Sequence, residues 1–107
     1  MGVSSKTDVA EEPWKLILSS EADSGLEDIL EKYGDDAYSE ALNDLLALEE
    51  DPIPEHAQHL RRTQDHYRIY IYRSLYRAIY RVLSGKRIVV VERVGPRSSV
   101  YRGFDRR

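Results

Sequence analysis

From His66 onward the chain runs in short segments whose apolar and polar positions alternate. That is the two-residue period of a strand, not the 3.6-residue period of a helix. Tyr67, Ile69 and Ile71 alternate with Arg68, Tyr70 and Tyr72, predicting a strand over 67–72. Tyr76, Ala78, Tyr80 and Val82 alternate with Arg77, Ile79 and Arg81 in a second strand over 75–83. A third, over 87–94, has Ile-Val-Val-Val at its centre and reads as a buried strand inside a sheet. The three predict an antiparallel meander with one apolar face and one face carrying Arg and Tyr.

Upstream, Trp14, Leu16 and Leu18 alternate with Lys15 and Ile17, a short first strand placed at the sheet edge beside or near the third. The pattern then changes period. Leu26, Ile29, Leu30 and Tyr33 form one stripe, predicting a helix over 26–33 capped by Asp23-Ser24-Gly25. Gly34 with Asp35-Asp36 separates it from a second helix over 37–49, marked by Ala37, Ala41, Leu42, Leu45, Leu46 and Leu48. Glu40, Asp44 and Glu49 read as its solvated outer face. Asp51-Pro52-Ile53-Pro54 stops that helix. The connector 56–63 has room for a short strand or turn at 58–62, and Gly95-Pro96 is expected to break the chain after the last strand. The order β-α-α-β-β-β is an α+β fold, an antiparallel sheet with a two-helix hairpin packed on one face. Residues 13–107 read as a single domain, and the small, polar residues 1–12 as a disordered segment.

Charge sharpens this picture. The chain of 107 residues has a net charge of −3, but residues 1–55 hold 16 acids against 3 bases, and residues 56–107 hold 13 bases against 3 acids. Twelve of those 13 bases are arginines. Arginine suits planar, bidentate recognition of phosphate, so the basic half points to a nucleic-acid partner. The alternative is that one half neutralises the other within the fold. No apolar run reaches membrane-spanning length, and the N-terminal residues lack a signal-peptide pattern, so a cytoplasmic location is expected.

Candidate chemistry is sparse outside the Arg/Tyr face. With no cysteine there is no disulfide framework or thiolate metal site, and no glycine-rich phosphate loop is present. His56, His59 and His66 have no acid cluster beside them in sequence, so neither a metal nor another cofactor is expected; His66 reads as a strand-end residue. What remains is Arg68, Tyr70, Arg77, Arg81, Arg97 and Tyr101, with Arg62, Arg73 and Arg102 as further RNA-binding candidates. Guanidiniums attract a polyphosphate backbone and tyrosines can stack on bases. Cleaving RNA through its own 2′-hydroxyl needs no metal, only a base, an acid and cations around the phosphate. Arginine cannot act as the base, but a tyrosine among guanidiniums can exchange protons.

The run DPIP…HLRR…HYRIYIYRSLYRAIYRVLSGKRIVVVERVGPRSSVY, in its order of motifs, resembles the RelE/ParE superfamily of toxins over roughly residues 14–104. The resemblance implies a ribosome-dependent mRNA endoribonuclease that halts translation and is held inactive by a cognate antitoxin, in a hetero-oligomer. It implies that Arg77, in YRAIY, contacts the scissile phosphate. Arg97, in VGPR, matches the arginine after the last strand, and Tyr101, in SVY, matches the C-terminal catalytic tyrosine. Arg68 and Tyr70 stand where well-known RelE-type toxins have lysines, and Pro96 where many relatives have a basic residue or His. A ParE-like inhibitor of DNA gyrase and a catalytically inert, antitoxin-binding relative are the alternatives.

Overall fold

The computed structural model describes residues 13–100. Its elements are β1 (Lys15–Leu18), α1 (Ser20–Tyr33), α2 (Asp35–Leu46), a 3-10 turn (Ala47–Glu49), β2 (Gln58–His59), β3 (His66–Ile71), β4 (Tyr76–Leu83), a second 3-10 turn (Ser84–Lys86) and β5 (Ile88–Pro96). The sheet order is β1-β5-β4-β3-β2. The β3-β4-β5 meander is antiparallel as the alternation predicts, but β1 pairs with β5 in parallel, from Lys15↔Ile88 to Leu18↔Val91. The sheet is therefore mixed. The crossover forces this: the chain leaves β1 into the helical hairpin and returns to the far side of the sheet. The two-residue β2, pairing Gln58↔Arg68 and His59↔Tyr67, is the short strand that the connector had room for.

Both helices cover one face. Leu26, Ile29, Ala41, Leu45 and Leu48 are buried against Ile69, Ile71, Ala78, Tyr80, Val89, Val91 and Val94. A register shift at Ile79/Tyr80 makes Glu92 an extra residue in β5. This bulge restores Val94 to the core face after Val91.

Helix α1 starts six residues before the expected Leu26. Its cap is Ser19, whose Oγ accepts the Ala22 N–H at 3.0 Å and donates to the Glu92 carbonyl at 2.7 Å. The expected cap residue Gly25 is instead in mid-helix. A Cβ there would overlap the carbonyl of Val94, so glycine permits the close approach of α1 to β5. Helix α2 starts two residues earlier than expected, and its last turn tightens into the 3-10 turn. Gly34, at φ 100°, joins the helices in a conformation suited to glycine. Gly95-Pro96 does not break the chain. Gly95 pairs with Arg77 and Pro96 with Tyr76, continuing β5 beyond the end of β1, where no neighbouring strand needs the missing N–H.

The hairpin between β3 and β4 turns through Tyr72, Arg73 and Ser74, all at positive φ. None is glycine, so the turn depends on outside support. Asp44 accepts the Tyr72 N–H at 2.8 Å, and Glu40 pairs with Arg73 at 3.2 Å. These two carboxylates, expected to be merely solvated, fasten the hairpin to α2.

Two tests follow from the packing. Gly25→Ala should lower stability by about 1–3 kcal/mol in urea denaturation despite alanine's better helix propensity. Tyr80 is fully buried, with no hydrogen-bond partner for its hydroxyl, and burial raises its pKa well above that of an ordinary phenol. Tyr76 is raised by burial and by its hydrogen bond to Asp28. A raised folded-state pKa gives stability that is intact below the unfolded value, about 10, and is lost as pH rises above it. The urea midpoint should therefore fall above about pH 10. Tyr80→Phe should make that fall shallower and leave neutral-pH stability equal or up to about 1 kcal/mol higher.

Candidate functional site

The sheet face away from the helices carries the alternate residues of β3 and β4. Direct pairing of Tyr70 with Arg77, and of Arg68 with Ile79, sets the site. Residues opposite one another in an antiparallel pair project to the same side. Gly95, opposite Arg77 on β5, adds no side chain to that row. Leu60 and Val100 close over Ile79 in a small separate apolar cluster, giving the cationic face a solid floor.

Over this floor lies an open cleft of roughly 440 Å³, lined by Gln58, His59, Leu60, Arg61, Arg68, Tyr70, Arg77 and Arg97. It brings together Arg68, Tyr70, Arg77 and Arg97. A larger cavity, about 670 Å³ between α1 and the end of β5, contains none of the candidate residues. Chemistry, not size, selects the cleft.

Tyr70 is the centre of the group. The guanidinium carbon of Arg77 lies 4.4 Å from its ring centroid, and that of Arg68 lies 5.1 Å away. Both are cation–π distances. Hydrogen bonding from Arg77, then the positive charge of Arg68, holds the Tyr70 phenol below its ordinary pKa, because each favours the phenolate. Tyr70 is 44% exposed, whereas Arg77 is only 7% exposed. The Nε of Arg77 is buried with no hydrogen-bond partner, and no carboxylate among the described residues pairs with Arg77 or Arg97. A buried guanidinium without a counter-charge favours an incoming anion. The arrangement can bind a phosphate and exchange one proton beside it.

Other predicted residues lie elsewhere. Arg81 shares the face of Arg77 but pairs with Asp65 at 3.5 Å, next to His66, which is 3.0 Å from Glu92. Arg73 stacks over Tyr72 and is tied to Glu40 on the hairpin turn. Arg62 is exposed at φ 67° in the loop after β2, outside the lining of the cleft. Tyr101 and Arg102 lie outside the described residues. Gln58 and Arg61 line the cleft without having been predicted. A signal for Gln58 exists only once the β2–β3 register places it opposite Arg68. Among the described residues, His56 and His59 are not joined by a third ligand-type side chain that could complete a metal site.

Comparison with known proteins agrees with this fold. The family described as the ParE toxin of the type II toxin–antitoxin system, parDE, matches residues 16–101. The isolated Escherichia coli RelE toxin is 30% identical, the match covering 83% of this chain and 92% of that one, with a TM-score of 0.62. A mutant E. coli RelE in the free state is 28% identical over 84% of this chain and 92% of that one, with a TM-score of 0.66. The archaeal RelE–RelB complex from Pyrococcus horikoshii OT3 matches at 21% identity over 81% of this chain and 98% of that one, with a TM-score of 0.64, a likeness of fold. No curated protein matches.

The electrostatics of the cleft can be tested by titration. The Tyr70 resonance of ¹³C-tyrosine-labelled protein should titrate below an ordinary phenol, about pH 10. Arg77→Gln should move that midpoint upward; an unmoved midpoint would remove Arg77 as the cause.

Proposed function

This chain belongs to the RelE/ParE superfamily of type II toxin–antitoxin toxins, and from that premise we propose that it is a metal-independent, ribosome-dependent mRNA endoribonuclease that stops translation. The observation that carries the reading is the buried, uncompensated Arg77 in contact with Tyr70, in one cleft with Arg68 and Arg97. Arg68, Arg77 and Arg97 hold the scissile phosphate and neutralise the charge that develops on it. Tyr70 supplies a proton, its phenol made a better acid by the adjacent guanidiniums. Tyr101, which the resemblance matches to the family's C-terminal catalytic tyrosine, exchanges a proton or stacks on a base. Attack by the 2′-hydroxyl leaves a 2′,3′-cyclic phosphate and a free 5′-hydroxyl.

The partners are the ribosome with its mRNA and a cognate antitoxin. RelBE is a toxin–antitoxin complex in the structurally similar E. coli protein. A second reading, a ParE-like gyrase inhibitor, is favoured by the parDE family match. The Arg/Tyr cleft supports cleavage instead, since gyrase inhibition calls for no buried cation beside an acidified phenol.

Induced expression should arrest growth, with protein synthesis stopping before DNA replication and new in-frame mRNA 5′ ends appearing on ribosomes. Arg77→Ala and Arg97→Ala should each abolish arrest and cleavage while still binding the antitoxin. Undiminished toxicity of these variants would refute the assignment, and arrest without cuts would favour the gyrase reading.

A further inference from the structure

Proton transfer in the proposed reaction needs two groups, and Tyr70 supplies one. None of the four arginines lining the cleft can remove the proton of a 2′-hydroxyl. Imidazole is the side chain that changes charge between about pH 5 and 8. Two of the three histidines have their rings already engaged. His66 is tied to Glu92 and flanked by Asp65. His59 lines the cleft, but its ring meets Tyr67 edge-on, centroid to centroid 5.1 Å, and its Nε2 lies 3.1 Å from the Gln64 carbonyl.

His56 is placed differently. Ala57 packs against the core, and the residues on either side of it, His56 and Gln58, line a small cavity with Arg68, Ile69 and Tyr70. This cavity adjoins the cationic cleft through Gln58, Arg68 and Tyr70. His56 and Tyr70 also line the next cavity, where the charged groups are Asp44 of α2, Asp51 of the loop and Arg73 of the hairpin. The imidazole is exposed and engages in no hydrogen bond or ion pair among the described residues.

We propose that His56 is the general base of RNA cleavage, acting from the small cavity that it shares with Arg68 and Tyr70 beside the cleft; this role rests on the nuclease reading above. A neutral His56 ring nitrogen takes the proton of the 2′-hydroxyl. O2′ bonds to phosphorus, and the P–O5′ bond breaks. Its electron pair takes the phenolic proton of Tyr70, leaving a 2′,3′-cyclic phosphate and a 5′-hydroxyl. The imidazolium and the phenolate then exchange protons with water, restoring the starting state.

The test measures cleavage by the full chain on mRNA-programmed ribosomes, across pH, for wild type, His56→Gln and Tyr70→Phe. Thermal melting verifies that each variant is folded. His56→Gln should slow cleavage about 10²- to 10⁴-fold and abolish the acid limb of the pH–rate profile. An mRNA with sulfur in place of the scissile 5′-oxygen needs no acid at its leaving group. It should restore cleavage by Tyr70→Phe but not by His56→Gln. A folded His56→Gln variant that keeps the wild-type rate and acid limb overturns the role of His56 and leaves the nuclease reading standing. Failure of wild type itself to cut the ordinary mRNA overturns both.

Discussion

The closest constraint in this fold is the contact between α1 and β5, where Gly25 lets the helix approach the Val94 backbone. That contact seats the helical hairpin on one face of the sheet and buries Leu26 and Ile29 against Val89, Val91 and Val94. With one face sealed, strand alternation leaves the other face no choice of residues. Arg68, Tyr70 and Arg77 emerge together because Ile69, Ile71 and Ala78 are held in the core. A one-residue slip of register would exchange the two sets, so the packing of the helices also aligns the site.

The uneven charge of the two halves takes on meaning in three dimensions. Cations around the rim are matched by acids: Arg73 by Glu40, Arg93 by Glu21 and Arg81 by Asp65. The first two pairs join the acidic half to the basic half, so neutralisation within the fold is real but peripheral. Inside the cleft, Arg77 and Arg97 have no such acid among the described residues, and the ring of Tyr70 lies against Arg77 instead. Aromatic contact steadies a guanidinium without cancelling its charge.

Much of this was legible in the sequence. Alternation over 67–83 identified both faces of β3 and β4 and hence the Arg68, Tyr70 and Arg77 group at the centre of the cleft. The errors have physical origins. Asp23-Ser24-Gly25 has the composition of a cap, yet Ser19 caps the helix, because Gly25 answers to a tertiary contact that no local pattern encodes. Gly95-Pro96 has the composition of a break, but β5 outruns β1 there and its edge tolerates proline. The parallel pairing of β1, the β5 bulge and the anchoring role of Asp44 depend on partners far along the chain. Gln58 joins the site only through a two-residue strand, too short to leave a periodic signal.

The parallel pairing of β1 with β5 has a consequence for biosynthesis. Lys15 meets Ile88, so β1 finds its neighbour only after the helices and the strands β2 to β4 have been made. Closing so long a loop is entropically costly, and non-local pairing of this kind slows folding. The sheet cannot be completed on a nascent chain that still lacks its final strand. A toxin built this way stays unassembled while translation runs from β1 to β5, which opens an interval in which an antitoxin can be waiting.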